Sequence, residues 1–160
     1  MKRFLFIVFS CLISFQGLSS KILIPMDDSQ VNHLKAYGVT FWVLGNGLEA
    51  QWLLNYKGGS FMLPNNHNIA EECVIRGVSF QIIADVQAAQ ILNEISDSEV
   101  NMETVKLEKS PNIAVYSPAG KLPWDDAVTL VLTYAEIPYD IVYDEEVLSG
   151  VLPKYDWLHL

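Results

Sequence analysis

Cysteine is nearly absent from this chain of 160 residues: it occurs only at Cys11 and Cys73. Cys11 falls inside an N-terminal apolar run, so a processed chain keeps Cys73 alone and has no partner for an intramolecular disulfide. A single thiol is buried and inert, reactive, or an intermolecular link, and burial is the expectation. Long apolar runs are also missing. Only Phe4 to Phe15 qualifies, twelve residues interrupted by Ser10, Cys11 and Ser14, well short of the ~20 needed to span a bilayer. Positive charge is scarce, at ten Lys+Arg against 19 Asp+Glu, which argues against nucleic acid or an anionic membrane surface as partner. The sequence has no G-x-G-x-x-G, Walker loop, G-x-S-x-G, C-x-x-C or H-x-x-x-H. Dinucleotide, nucleotide triphosphate, serine esterase and local zinc chemistry lose their usual signatures, and the cofactor is left unassigned.

The start of the chain has the order of a secretory signal peptide. Lys2 and Arg3 form a positive n-region, Phe4 to Phe15 the apolar centre, and Gly17-Leu18-Ser19 or Leu18-Ser19-Ser20 the small-residue cleavage site. A rival is a loose lipobox at Val8-Phe9-Ser10-Cys11. The expectation is a signal over residues 1–20 and a protein free of the membrane, in the periplasm or outside the cell. With Lys2 and Arg3 removed, the net charge is −11.

What remains is enough for a real core, and its aromatic-rich composition excludes disorder. Ile22 to Met26 reads as a strand, and Asp27-Asp28-Ser29 as N-cap chemistry for an amphipathic helix. That helix carries Val31, Leu34, Tyr37, Phe41 and Leu44 at spacings of three and four, and Gly45-Asn46-Gly47 stops it. Alternation through Ala50, Trp52, Leu54 and Tyr56 predicts a strand, which a two-residue hairpin within Lys57-Gly58-Gly59-Ser60 joins to Phe61-Met62-Leu63. Asn68 with Glu71 resembles a capping box opening a short helix that Gly77 ends. Ser79 to Ile83 is a further strand before a helix over 85–95, with one long helix across both as the competing reading.

Ser110-Pro111-Asn112 is the best internal boundary, dividing an N-terminal α/β region over 21–110 from a second over 111–160. The second region reads strand 112–116, a helix opened by Pro123, Asp125 and Asp126 and ended before Pro138, strand 139–143, a short helix from Asp144-Glu145-Glu146, and strand 155–160. Such alternation implies parallel strands and a Rossmann or flavodoxin-like three-layer unit. A three-stranded sheet ending on an apolar strand has an open edge. That predicts a chain continuing beyond position 160, or self-association through the edge, with a complete domain as the alternative.

In open α/β sheets ligands bind beyond the carboxyl ends of strands. The ranked candidates for a small-molecule substrate are therefore Asp27 and Asp28, with Asn32 and His33 on the adjoining helix, then Ser117, and then Asp144, Glu145 and Glu146. A histidine there is suited to acid or base work near neutral pH, and each acid equally suits helix capping. Lys57 to Ser60 is a possible anion cradle, and Cys73 with His67 or His33 a conceivable thiolate pair. His33, His67 and His159 are too dispersed for a local metal site. The crest above Tyr116-Ser117, Tyr143-Asp144 and the Trp157 strand ranks above the Lys57 hairpin.

Three segments carry a family resemblance: Ile22 to Asp27 with Asn32 to Gly38, Trp52 to Phe61, and Tyr155 to Leu160. Together they resemble the front part of a group of exported bacterial proteins labelled asparagine synthetase B. Residue 2 is Lys2, where an asparagine synthetase of the familiar type has the cysteine freed by loss of Met1, and no Ser-Gly-Gly-x-Asp-Ser loop for ATP occurs. No catalytic residue is carried over. The second region is similar to the opening of a class I glutamine amidotransferase-like domain, whose nucleophile and histidine follow later strands. Two functions follow as expectations: the front part of an exported amidotransferase-like protein with no complete active site in these residues, or a non-catalytic binding or scaffold module.

Overall fold

A computed structural model of the chain describes residues 19–97, 99, 101–118, 120 and 126–160. The expected signal segment, Pro123 and Asp125 lie outside the described residues. The fold is mixed α/β with two sheets, one on either side of Ser110-Pro111-Asn112.

The first sheet has five antiparallel strands in the order β4-β1-β3-β2-β5, formed by β1 (Ser20–Ile24), β2 (Ala50–Leu54), β3 (Ser60–Pro64), β4 (Gln81–Ala84) and β5 (Glu103–Leu107). Alternation splits its side chains between two cores. Ile22, Ile24, Phe61 and Leu63 meet helices α1 (His33–Gly45) and α2 (His67–Ile75) on one face. Leu23, Leu53, Met62 and Ile83 meet Ala88, Ile91 and Ile95 of α3 (Asp85–Ile95) on the other. This region is therefore a full antiparallel sheet covered on both faces, more than the small hairpin-bearing unit expected. The separate β4 and α3 also replace the competing single long helix.

Three local expectations are corrected. The cap of α1 is Asn32, whose side chain accepts from the Lys35 N–H at 3.1 Å. The Asp27 carboxylate instead accepts the Ser29 N–H at 3.0 Å, closing its own turn and leaving Val31 82% exposed before the helix begins. Similarly α2 is capped by Asn66, which accepts from the Asn68 N–H at 2.9 Å, and Glu71 faces His67 at 4.0 Å. The β2–β3 connection runs over Asn55–Gly59 as a turn of 3₁₀ helix (Tyr56–Gly58) in place of a two-residue hairpin. Gly58 sits at φ +79 with its Cα against the chain after β1, so an added Cβ would lie 2.3 Å from the Met26 carbonyl oxygen.

The second sheet is parallel. It comprises β6 (Ile113–Tyr116), β7 (Asp140–Val142) and β8 (Trp157–His159) in the order β7-β6-β8, with the first strand central. Helix α4 (Ala127–Ala135) is capped by Asp126, which accepts the Val128 N–H at 2.8 Å, and α5 (Asp144–Leu148) follows β7. Leu132 of α4 packs on Ile113 and Val115, and Phe41 reaches this core from α1. Helix α1 thus lies between the two sheets, touching the first through Val39 and Val43 and the second through Phe41.

Candidate functional site

Parallel pairing brings the carboxyl ends of β6, β7 and β8 to one crest. Register sets Tyr116 beside Val142 and Val115 beside His159. The Tyr116 hydroxyl donates to the Asp144 carboxylate at 2.6 Å, and its ring lies 5.3 Å from that of Tyr143, tilted by 42°. The hydrogen bond to the Asp144 carboxylate stabilises the neutral phenol and pushes the Tyr116 pKa up to about 12. At neutral pH Tyr116 is therefore a donor, and no base. Ser117 is buried and its N–H donates to the Val142 carbonyl at 2.9 Å, tying the end of β6 to the end of β7. Glu145 is exposed, while Glu146 accepts the Tyr143 N–H at 2.9 Å and so closes the first turn of α5. The crest offers two tyrosine rings with their phenols and the Asp144 carboxylate. Such a surface suits a ligand bearing an ammonium or hydroxyl group.

A second group gathers where β1 ends. The Met26 N–H donates to the Lys57 carbonyl at 3.0 Å, and His33 Nε2 lies 3.2 Å from the Met26 carbonyl oxygen. Asp27 is held below the usual carboxylate range, chiefly by the Ser29 hydroxyl and N–H and to a smaller degree by Lys57. Sequence reading placed His33 with Asp27 and Asp28 but kept the Lys57 loop apart, and the fold brings that loop beside them. Asp28 is exposed. Several polar groups of the loop are already engaged: the Gly59 N–H donates to Tyr56, the Ser60 hydroxyl donates to Tyr56, and Gly59 O accepts the Trp52 indole N–H at 3.0 Å. An anion cradle needs those amides free.

Cys73 is fully buried in the α1–α2 core. Burial first, and Glu72 second, push its thiol up to about 11, with Arg76 acting weakly the other way. His67 stands exposed beside Glu71. A buried thiol held protonated is unlike a thiolate nucleophile. Among the described residues no group of three or more His, Cys, Asp or Glu side chains is placed to hold a metal ion. No helix among them is long and apolar enough to cross a membrane.

Sequence reasoning missed an apolar cleft of about 380 Å³ between the two sheets. Tyr37 and Phe41 from α1, Trp52 from β2 and Phe61 from β3 line one side, and Ile137 and Trp157 stand across from them. The Tyr37 and Phe61 rings meet edge to face at 5.5 Å, and Trp52 stacks on Phe61 at 6.2 Å. The only sequence signal was the recurrence of aromatics in these segments, which helical and strand spacing equally explain as core. Comparison with protein-family models, with curated proteins and with solved structures finds no match.

Proposed function

We propose that the chain is an exported α/β protein of the asparagine synthetase B-labelled kind. In this reading its second region is a flavodoxin-like, class I amidotransferase-like unit that holds an amide-bearing amino acid over the strand crest. The observation that carries the reading is the parallel order β7-β6-β8. With the first strand central, the order is what a flavodoxin-like sheet beginning 2-1-3 would have, and in open α/β sheets ligands lie beyond the carboxyl ends of the strands. Fold analogy alone assigns no activity. What singles out a ligand is the furniture of the crest: a neutral Tyr116 phenol locked on Asp144 and a second ring at Tyr143. The Asp144 oxygen not taken by Tyr116 accepts an α-ammonium group, which the Tyr116 and Tyr143 ring faces also attract.

Export is supported by the sequence order of Lys2, Arg3, Phe4 to Phe15 and Gly17-Leu18-Ser19. The function is tested by calorimetric titration of the processed chain with L-glutamine and L-asparagine. One of the two should bind, and Asp144→Asn and Tyr116→Phe should each weaken it about tenfold or more, as loss of a charge-assisted hydrogen bond implies. Absence of binding for both amino acids, or binding that neither substitution changes, would contradict the proposal.

A further inference from the structure

From the cleft between the sheets we infer that the protein has a second ligand site, for a small uncharged planar aromatic molecule stacked between Tyr37 and Trp52 on one wall and Trp157 on the other. The volume of about 380 Å³ falls in the range of small-molecule sites, ~300–1,000 Å³. Two observations set its chemistry. Two polar groups of the walls are already engaged, the Trp52 indole N–H donating to Gly59 O at 3.0 Å and the Thr40 hydroxyl to Ala36 O at 3.0 Å, which leaves the Tyr37 hydroxyl and no charged group facing the recess apart from Lys109 at its lip. A charged ligand group would therefore lose water inside the cleft without gaining a charged partner. The cation at the lip, Lys109, is met by Asp156 at 3.2 Å, and the chain's net charge of −9 repels anions. What the cleft does offer is aromatic area, and Trp157 is 53% exposed, an unusual position for so large an apolar ring.

A macromolecular partner does not fit this recess. Eleven residues line it, against the roughly 20–30 residues a side of a stable protein interface. Its walls are held in place without a ligand. Gly38 of α1 lies against Ala135 of α4, and Glu136, next in the chain, takes Lys35 and Arg76 as ion-pair partners across the same boundary. A rigid recess does not have to be ordered on binding.

The probe is indole, titrated into the processed chain by calorimetry, with indole-3-acetate and tryptamine as its anionic and cationic counterparts. Indole should bind saturably, and each charged analogue at least threefold more weakly. Trp157→Ala, a substitution at a half-exposed ring, should weaken indole about tenfold without lowering the melting temperature, and Tyr37→Leu, at an exposed ring, serves as a second variant on the opposite wall. Failure of indole to saturate, tighter binding of either charged analogue, or indifference to both substitutions would overturn the inference. So would a dimer seen by sedimentation that Trp157→Ala dissociates, because the cleft would then be a contact between copies. These readings do not depend on whether amino acids bind at the crest.

Discussion

Gly38 and Ala135 touch backbone to backbone: a Cβ on Gly38 would lie 1.8 Å from the Ala135 carbonyl oxygen. This contact joins α1, the helix the two sheets share, to α4 of the second. Ordinarily Gly→Ala inside a helix stabilises by up to about 1 kcal/mol. Here the methyl group has no room. Gly38→Ala should destabilise by about 1–3 kcal/mol, the usual cost of overpacking. Gly45→Ala, at the end of the same helix with only the Ser110 hydroxyl at 3.8 Å, should be neutral or mildly stabilising. Denaturant titrations of both variants check this, and equal effects would refute the close approach.

Glu136 adds an electrostatic tie at the same boundary. Its carboxyl is held below the usual range by the hydrogen bond from Lys35 first, with Arg76 and the Lys35 charge adding to it against a desolvation cost. The Arg76 Nε lies 3.3 Å from Glu136 and 2.8 Å from Glu72. A carboxyl whose pKa is lowered on folding contributes stability above its unfolded pKa, and that contribution fades as pH falls through the folded value. Glu136 is half exposed, so the contribution is modest, roughly 0.5–1 kcal/mol. Glu136→Gln should therefore cost stability near pH 7 and nothing once pH falls well below about 4. Melting curves of the two proteins across that window should converge, and a gap independent of pH would contradict the ion-pair account.

The proposed leader is tested by where the processed chain begins. Ser20 opens β1 opposite Ala84, and its hydroxyl accepts from the Asn65 side chain at 2.6 Å. Cleavage after Ser20 would remove the first residue of that strand, whereas cleavage after Ser19 preserves it and uses the Gly17-Leu18-Ser19 triplet. N-terminal sequencing of the exported protein should begin at Ser20. A chain found in the cytoplasm with Met1 or Lys2 at its terminus would refute export.

Local pattern carried the reading of the sequence where the chain alone decides structure. Alternation from Ala50 to Leu54, the Gly45-Asn46-Gly47 stop and the strand-helix alternation after Asn112 all reappear as β2, the end of α1 and the parallel sheet. β5 did not stand out, because Glu103-Thr104-Val105-Lys106-Leu107 is half polar. It is an edge strand held by pairing to β2, with Lys106 bridging to Glu49 and Glu108. The choice of Asn32 over Asp27 as cap was equally hidden. Asp27 is taken up by the Ser29 N–H and hydroxyl, and several polar residues in a row gave no way to tell which would cap. The aromatic cleft was the least legible feature, since Phe61 and Trp157 face it from different sheets.

The central claim is that an amino-acid ligand sits over the crest of the parallel sheet. Chemical-shift mapping of the labelled, processed chain during titration with L-glutamine and L-asparagine tests it most directly. With whichever of the two binds, the account predicts that the largest shifts fall on Tyr116, Ser117, Tyr143 and Asp144, and that Asp144→Asn moves their midpoint to about tenfold higher concentration or beyond while the rest of the spectrum stays folded. Shifts confined to Asp27, His33 and the Lys57 to Ser60 loop, or none with either amino acid, would contradict it.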